Sequence, residues 1–208
     1  MVDKLTKQKE DMQKFQETEM LKHLDLKYKN EIIRSMEWLG EKEDTIFIGQ
    51  AIKYSGNAMY NTTKTVSDDK KIEVPVLEDV QMGMSMGMAF EGFVPITCYP
   101  RFDFLICATN QLVNHLDKIA IISEGQFQPR VIIRTSIGSR IPLYAGEQHT
   151  QDHTQAFKSL LKRVDVVVLD ESDDIFPAFK HAYERQPKSK YDSLVTLIVE
   201  WGDHYNAK

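Results

Sequence analysis

Apolar residues along the chain follow two spacings that alternate. Short, nearly continuous apolar runs are typical of buried strands, and the sequence predicts six of them: residues 45–49, 72–74, 94–98, 130–134, 164–169 and 194–199. Longer segments carry apolar residues three and four positions apart, which predicts helices over residues 28–42, 78–92, 102–123, 154–161 and 172–185. The polar stretch 50–70 is predicted to be a loop. This alternation favours an α/β fold: one doubly wound, mainly parallel six-stranded sheet with helices on both faces.

The predicted sheet also indicates where a ligand would bind. In doubly wound sheets the binding crevice lies outside the carboxyl ends of the strands. Those ends are followed here by residues 74–78, 99–104, 135–149 and 170–172. We therefore expect a site to be assembled from these loops. The run at 164–169 is apolar almost throughout, which favours a central strand buried on both faces.

Composition narrows the class of protein. The 208 residues are 42% hydrophobic and 27% charged, as in an ordinary globular protein, and the net charge of -5 gives no reason to expect a nucleic acid partner. Cys98 and Cys107 lie in apolar segments without metal-ligand spacing, and no apolar run is long enough to span a membrane. The N-terminal sequence has no apolar central region typical of a signal peptide, so a cytoplasmic location is expected. We expect residues 1–24 to be a charged extension, either helical or a solvated arm, and residues 25–208 to form one domain.

Several common catalytic motifs are missing from the sequence. There is no glycine-rich phosphate loop, no nucleophile elbow and no zinc-binding helix motif. Gly83 and Gly87 lie inside a predicted helix, where small residues allow close packing against another subunit or within the domain. His149 and His153 are four residues apart, but no third ligand is nearby, so no metal site is predicted.

An ordered series of short motifs carries a family resemblance. Glu78 is followed by glycines five, nine and fourteen positions later, and then by Pro95-Ile96. Phe-Asp-Phe at 102–104, Ala-Thr-Asn-Gln-Leu-Val-Asn at 108–114 and Gln-His-Thr-Gln at 148–151 follow in the same order. Over roughly residues 28–202 this series resembles the beta subunit of the pyruvate dehydrogenase decarboxylating component, in the transketolase and 2-oxo acid dehydrogenase family.

The resemblance implies a cofactor and a partner. It implies a pyrimidine-binding domain for thiamin diphosphate, with the diphosphate and Mg²⁺ held mainly by an alpha-type partner subunit in an α2β2 heterotetramer. Beta chains of this family continue into a C-terminal domain, and this sequence stops before it. That departure makes a stand-alone decarboxylating or ketol-transferring enzyme a credible alternative to an oxidative dehydrogenase.

The resemblance also implies roles for individual residues. Glu78 would contact a pyrimidine ring nitrogen and favour the imino tautomer that activates the cofactor; its other interpretation is an ordinary first-turn acid of a helix. Phe104 would stack on the pyrimidine, with Phe102 as the nearby alternative, or else be a core aromatic. His149 would face the substrate and stabilise a developing alkoxide, or else be a surface histidine. The residues expected to line the pyrimidine pocket are Val76 and Leu77.

Three functions remain open on the sequence. The first is a beta-type subunit that activates the cofactor for decarboxylation of a 2-oxo acid, or for transfer of the resulting acyl or ketol unit. The second is a split transketolase half that acts on sugar phosphates. The third is a non-catalytic regulatory paralogue. Glu78, Phe104 and His149 are all present, which favours a catalytic chain.

Overall fold

All six predicted strands are present, and together they form one sheet. The computed structural model describes residues 24–140 and 144–207, so the predicted extension lies almost wholly outside the described residues. The strands, in chain order, are β1 Thr45–Gly49, β2 Lys71–Glu73, β3 Val94–Tyr99, β4 Ile132–Ile137, β5 Asp165–Val168 and β6 Thr196–Trp201. Their order across the sheet is β2-β1-β3-β4-β6-β5, and every neighbouring pair is parallel. The predicted fold class is confirmed.

Helices connect the strands and cover the sheet. They are α1 Leu26–Gly40, α2 Ala58–Thr63, α3 Glu78–Phe90, α4 Phe102–Leu105, α5 Ile119–Ile122, α6 Thr154–Leu160 and α7 Ser172–Glu184. Single turns of 3-10 helix lie at Asp68–Lys70, Ile106–Ala108, Glu147–His149 and Gly202–Asn206, and a π-helical turn lies at Gln111–Leu116. The predicted loop 50–70 therefore contains a short helix and a 3-10 turn.

The sheet separates two hydrophobic cores. Successive residues of a strand point to opposite faces, so Ile132 joins one core and Ile133 the other. The first core packs α1 and α7 against the sheet through residues such as Met36 and Phe179. The second core packs α3, the segment 102–116 and α6, through residues such as Met82 and Phe157. Helices on both faces leave the ends of the strands open for loops that could form a site.

Strand β5 lies at the edge of the sheet, so the expectation of a central strand was wrong. Val167 packs on the first core, while Val166 and Val168 pack on the second. The apolar run reflects cover on both faces by helices. It carries no information about whether a strand has one hydrogen-bonded neighbour or two.

The predicted long helix 102–123 is broken into shorter turns. The Asp117 carboxylate is buried and accepts hydrogen bonds from three successive backbone N–H groups, those of residues 162–164, at 2.7–3.1 Å. The Asp117 N–H bonds to Leu112 O, five residues back, as in a π-turn. The widened turn therefore ends at the residue that caps the loop before β5.

A partly buried carboxylate fixes the segment after β1. Glu73, the last residue of β2, accepts the N–H groups of Ala51, Ile52 and Lys53 at 2.6, 3.0 and 2.9 Å. Ala51 has a φ of 62°, in the left-handed region that non-glycine residues seldom adopt. The three bonds to Glu73 stabilise this backbone and join the carboxyl ends of β1 and β2.

Candidate active site

Glu78 is the first residue of α3, five residues after the end of β2. The Tyr99 hydroxyl donates a hydrogen bond to Glu78 O at 3.1 Å, and the Gln81 amide donates to Thr97 Oγ1 at 2.8 Å. Burial raises the pKa of Tyr99, which keeps its hydroxyl protonated as a donor. These contacts hold the first turn of α3 against the carboxyl end of β3.

The two acids in this first turn have different surroundings. Gln111 Nε2 donates to Asp79 Oδ2 at 3.2 Å, so Asp79 is bound within its own domain. The half-buried Glu78 side chain has no hydrogen bond or ion pair with any residue that the structure describes. Of the two carboxylates, Glu78 is therefore the one available to a group outside this fold.

The turn after β3 contains the two predicted aromatic residues. Phe102 is fully buried in the second core, with its ring 5.2 Å from the Phe157 ring and 5.6 Å from the His153 ring. Phe104 is only partly buried, and the His149 ring stands perpendicular to it at 5.5 Å. The structure brings Phe104 and His149 together and leaves Phe104 as the more accessible ring. The cofactor role of either aromatic stays a prediction.

The loop after β4 is anchored to this turn. Arg101 donates from one nitrogen to Gly138 O at 2.5 Å and to His149 O at 2.9 Å, while burial lowers the pKa of its guanidinium. Gln151 Nε2 donates to Asp103 Oδ1 at 2.7 Å. The backbone at His149 is thus fixed relative to Phe104 by side chains from both loops.

Asp103 belongs to the cluster of side chains around Phe104 and His149, and sequence reasoning missed it. Its Oδ1 lies 3.7 Å from His153 Nε2, too far for a hydrogen bond. Four buried polar atoms of the cluster have no partner among the described residues: Asp103 Oδ2, His149 Nδ1, His153 Nε2 and Thr154 Oγ1. Buried polar atoms are almost always paired, so a concentration of unpaired ones is typical of a functional site. A charged residue between two aromatics, as in Phe-Asp-Phe, was the available sequence signal.

An exposed apolar band extends from the site along α3. Val76 is 61% exposed and Leu77 52%. The band continues over further large apolar residues: Val80, Met84, Phe90, Phe93 and Ile106. A Cβ at Gly87 would meet nothing within 4 Å, and one at Gly83 would meet only the end of the Gln111 side chain. Packing within the described domain therefore gives no reason for a glycine at position 87.

The described residues include no candidate metal site and no candidate membrane span. No group of three or more histidine, cysteine or acidic side chains in residues 24–140 and 144–207 is arranged to hold a metal ion. Across those residues, no helix is both long enough and apolar enough to span a membrane.

Comparison with known proteins identifies relatives of this chain. No protein-family model matches the chain. The pyruvate dehydrogenase E1 component subunit beta of Cyanidium caldarium is 26% identical over 132 residues, which cover 62% of this chain and 38% of that protein. The 3-methyl-2-oxobutanoate dehydrogenase subunit beta of Mycobacterium tuberculosis is 25% identical over 147 residues, covering 67% of this chain and 40% of the relative.

The chain is a homologue of 2-oxo acid dehydrogenase beta subunits. This confirms the resemblance drawn from the motifs around Glu78. The chain spans about two fifths of the length of the curated relatives that it matches. Among solved structures, one described as "split gene transketolase, inactive beta4 tetramer" has a TM-score of 0.57 and 13% identity, covering 83% of this chain and 50% of that one. That likeness shows the fold alone.

Proposed function

We propose that this chain is the pyrimidine-binding, beta-type subunit of a heteromeric enzyme that depends on thiamin diphosphate. The reaction is decarboxylation of a 2-oxo acid, or transfer of the acyl or ketol unit that results. The observation that carries the proposal is the Glu78 carboxylate, which is half-buried, unpaired among the described residues and held on a helix terminus fixed by Tyr99.

The described residues around Glu78 suit a flat, polar heterocycle. Val76 and Leu77 offer exposed apolar surface on one side, and the partly exposed Phe104 offers a ring for stacking. Glu78 would form a hydrogen bond with a ring nitrogen of the bound pyrimidine and so favour the tautomer that activates the cofactor. When bound, thiamin diphosphate supplies a thiazolium carbon that adds to a carbonyl group and stores the electron pair released by decarboxylation.

His149 would act on the substrate side. Its ring lies against Phe104, its backbone is fixed by Arg101, and its Nδ1 is buried without a partner. An imidazole N–H in that position would donate a hydrogen bond to the oxygen that gains negative charge. His149 and Glu78 would thus act on substrate and cofactor respectively.

The exposed apolar band supports a requirement for a second chain. Large exposed apolar patches on globular proteins mark interaction surfaces. Here the band borders Glu78, so a chain that covered it would also enclose the site. We assign this role, together with the diphosphate and Mg²⁺, to an alpha-type subunit in an α2β2 heterotetramer.

A transketolase half is the second candidate. Its support is the likeness of fold to a split transketolase, which shows the fold alone. A substrate panel that contains both 2-oxo acids and ketose phosphates separates the two reactions.

The test uses the chain co-expressed with an alpha-type chain from the same organism. We expect a stable complex that binds thiamin diphosphate with Mg²⁺ and releases CO₂ from at least one 2-oxo acid. Glu78→Gln keeps the complex but loses most turnover, on the order of 100-fold or more. Glu91→Gln is the matched control, because Glu91 follows the same helix at its other end and is exposed. A Glu78→Gln complex with undiminished turnover refutes the assigned role, and a complex that acts on no 2-oxo acid or ketose phosphate indicates the non-catalytic paralogue.

A further inference from the structure

A cavity lies at the opposite edge of the sheet from Glu78, beside β5. Its volume is about 400 Å³. Asp165, the first residue of β5, lines it, as do Leu194 just before β6 and Arg185 just after α7. Glu78 follows the carboxyl end of a strand, whereas this cavity is built at the amino ends of strands. The two sites are therefore separate.

The cavity is positively charged although the chain is acidic overall. Four cationic side chains and two carboxylates line it: Lys162, Arg163, Arg185 and Lys188, with Asp165 and Asp192. With His181 counted as neutral, the local charge is +2, whereas the whole chain has a net charge of -5.

Both acids already have partners. Asp165 is ion-paired with Arg185, and Asp192 Oδ2 accepts the N–H groups of Lys188 and Ser189 at 2.7 and 2.9 Å. The side chains of Arg163, His181 and Lys188 have no hydrogen bond or ion pair with any described residue. Two cations that line the cavity, Arg163 and Lys188, therefore remain without a counter-charge, and the His181 imidazole remains without a hydrogen-bond partner among the described residues.

Arg185 adds a largely buried positive charge to the basic side chains of the cavity. Its side chain is only 14% exposed, and its Nε is buried without a partner. Burial, and then the nearby charge of Arg185, lower the pKa of Arg130. Positive charge is therefore crowded around the cavity, and at low dielectric such crowding costs more than it does in water.

The carboxyl end of α7 would by itself repel an anion, because helix carbonyls carry partial negative charge. Arg130 removes much of this effect. Its two terminal nitrogens donate to Ala182 O at 3.1 Å and Arg185 O at 2.8 Å. The helix end is thereby neutralised, and the cationic side chains dominate the field in the cavity.

We propose that this cavity is a binding site for a small phosphate-bearing anion. Its volume lies at the lower end of the range for small-molecule sites and exceeds the space that a single phosphate needs. Arginine presents a planar fork of donors that matches phosphate oxygens, and several cations converging in a cleft concentrate anions there. Such a ligand would pair with the Arg163 and Lys188 side chains and could accept a hydrogen bond from His181.

The test is titration calorimetry of the full chain at low salt and at about 0.15 M salt. The probes are inorganic phosphate, pyrophosphate, adenosine diphosphate and citrate. We expect pyrophosphate or adenosine diphosphate to bind more tightly than inorganic phosphate, with an affinity that falls as salt rises. Binding of adenosine diphosphate alone indicates a phosphate ester, whereas equal binding of pyrophosphate indicates recognition of the phosphates only.

The double variant Arg163→Glu/Lys188→Glu should weaken this binding by about tenfold or more, as expected when a cation is replaced by an anion at a charged site. The matched control is Lys64→Glu/Lys158→Glu, which changes net charge equally at exposed positions outside the cavity. Absence of binding by every phosphate probe overturns the proposal. So does an equal loss in both double variants, or citrate binding as tightly as pyrophosphate.

Discussion

Arg134 on β4 and Glu200 on β6 form a bidentate ion pair that is completely buried. Arg134 Nε lies 2.7 Å from Glu200 Oε1, and a terminal nitrogen of the same guanidinium lies 2.8 Å from Oε2. That nitrogen also donates to Thr62 Oγ1 at 3.2 Å, and the Tyr205 hydroxyl donates to Glu200. Although burial opposes it, the Glu200 carboxylate raises the pKa of Arg134 well above its ordinary value. The pair therefore joins the sheet to α2 and to the C-terminal 3-10 turn.

Removal of one partner of this pair should destabilise the chain strongly. Arg134→Met leaves the Glu200 carboxylate buried without its counter-charge, and we expect a loss of about 3–5 kcal/mol in the free energy of unfolding. Urea unfolding followed by circular dichroism measures it. The double variant Arg134→Met/Glu200→Leu should recover part of the loss, because neither charge then remains. A single variant that costs less than about 1 kcal/mol would show that the pair is unimportant for stability.

Substitutions of the two aromatic residues in the Phe-Asp-Phe segment should have different effects: one mainly on stability, the other mainly on cofactor affinity. Phe102→Ala opens a cavity in the second core and should cost about 3–5 kcal/mol. Phe104→Ala removes a partly exposed ring, so it should cost less stability but weaken thiamin diphosphate binding in the complex with the alpha-type chain. The measurements are urea unfolding of the isolated chain and cofactor titration of the complex. Equal cofactor affinity in wild type and Phe104→Ala contradicts the stacking role.

Gly87 should be dispensable for the isolated chain and required for assembly. Gly87→Ala should stabilise α3 by about 1 kcal/mol, since alanine favours a helix and the added Cβ meets no atom within 4 Å. Gly87→Leu should also fold but fail to form the complex, because it adds bulk to the proposed interface. Co-purification and unfolding of the isolated chain test both statements. Gly49→Ala is the contrasting variant: its Cβ would lie 2.6 Å from Cys98 O, so the chain itself should be destabilised.

His204 should make stability fall at mildly acidic pH. The Asp25 N–H donates to His204 Nδ1 at 3.0 Å, an acceptor that only the unprotonated nitrogen provides. Burial lowers the pKa of His204 below 6.5, although nearby carboxylates oppose the shift. The unfolded chain therefore binds this proton first as pH falls. The contribution to stability is complete above pH 6.5 and is lost as pH falls toward the folded pKa.

The comparison for this prediction is His204→Asn, whose amide oxygen can accept the same N–H without titrating. Urea unfolding between about pH 7.5 and pH 5 should show a smaller decline for His204→Asn than for wild type. His181→Asn is the control, because His181 is exposed and makes no described contact with Asp25. Parallel pH profiles for wild type and His204→Asn would refute the prediction.

Hydrophobic patterning predicted the six strands and most of the helices because burial against a sheet requires it. It did not predict the break in helix 102–123 or the edge position of β5. The break depends on a carboxylate, Asp117, that bonds to backbone 45 residues away. The position of β5 depends on which strands pair, and apolar runs do not encode that. The Arg134–Glu200 pair was not predicted for a related reason. Each of these two residues pairs with one that is distant in the sequence, and patterning does not encode such a pair.

The order of the motifs placed Glu78, Phe104 and His149 in segments that follow the carboxyl ends of three strands, and the structure has them there. The sequence could not distinguish Phe102 from Phe104 by burial, because both flank the same acid. It also gave no role to Asp103 or Arg101, whose contacts run to residues 48 positions away. Contacts between loops depend on how far each strand carries the chain, which a single sequence does not specify.

The bonds from Glu73 to the three backbone N–H groups after β1 have a consequence for recognition. Glu73 is only five positions before Glu78. The bonds to Glu73 therefore hold the end of β1 close to the segment that leads to Glu78, without help from another chain. We expect this part of the surface to be formed before a ligand or subunit docks there. Little conformational entropy is then lost on association, which favours tight binding from a small contact area.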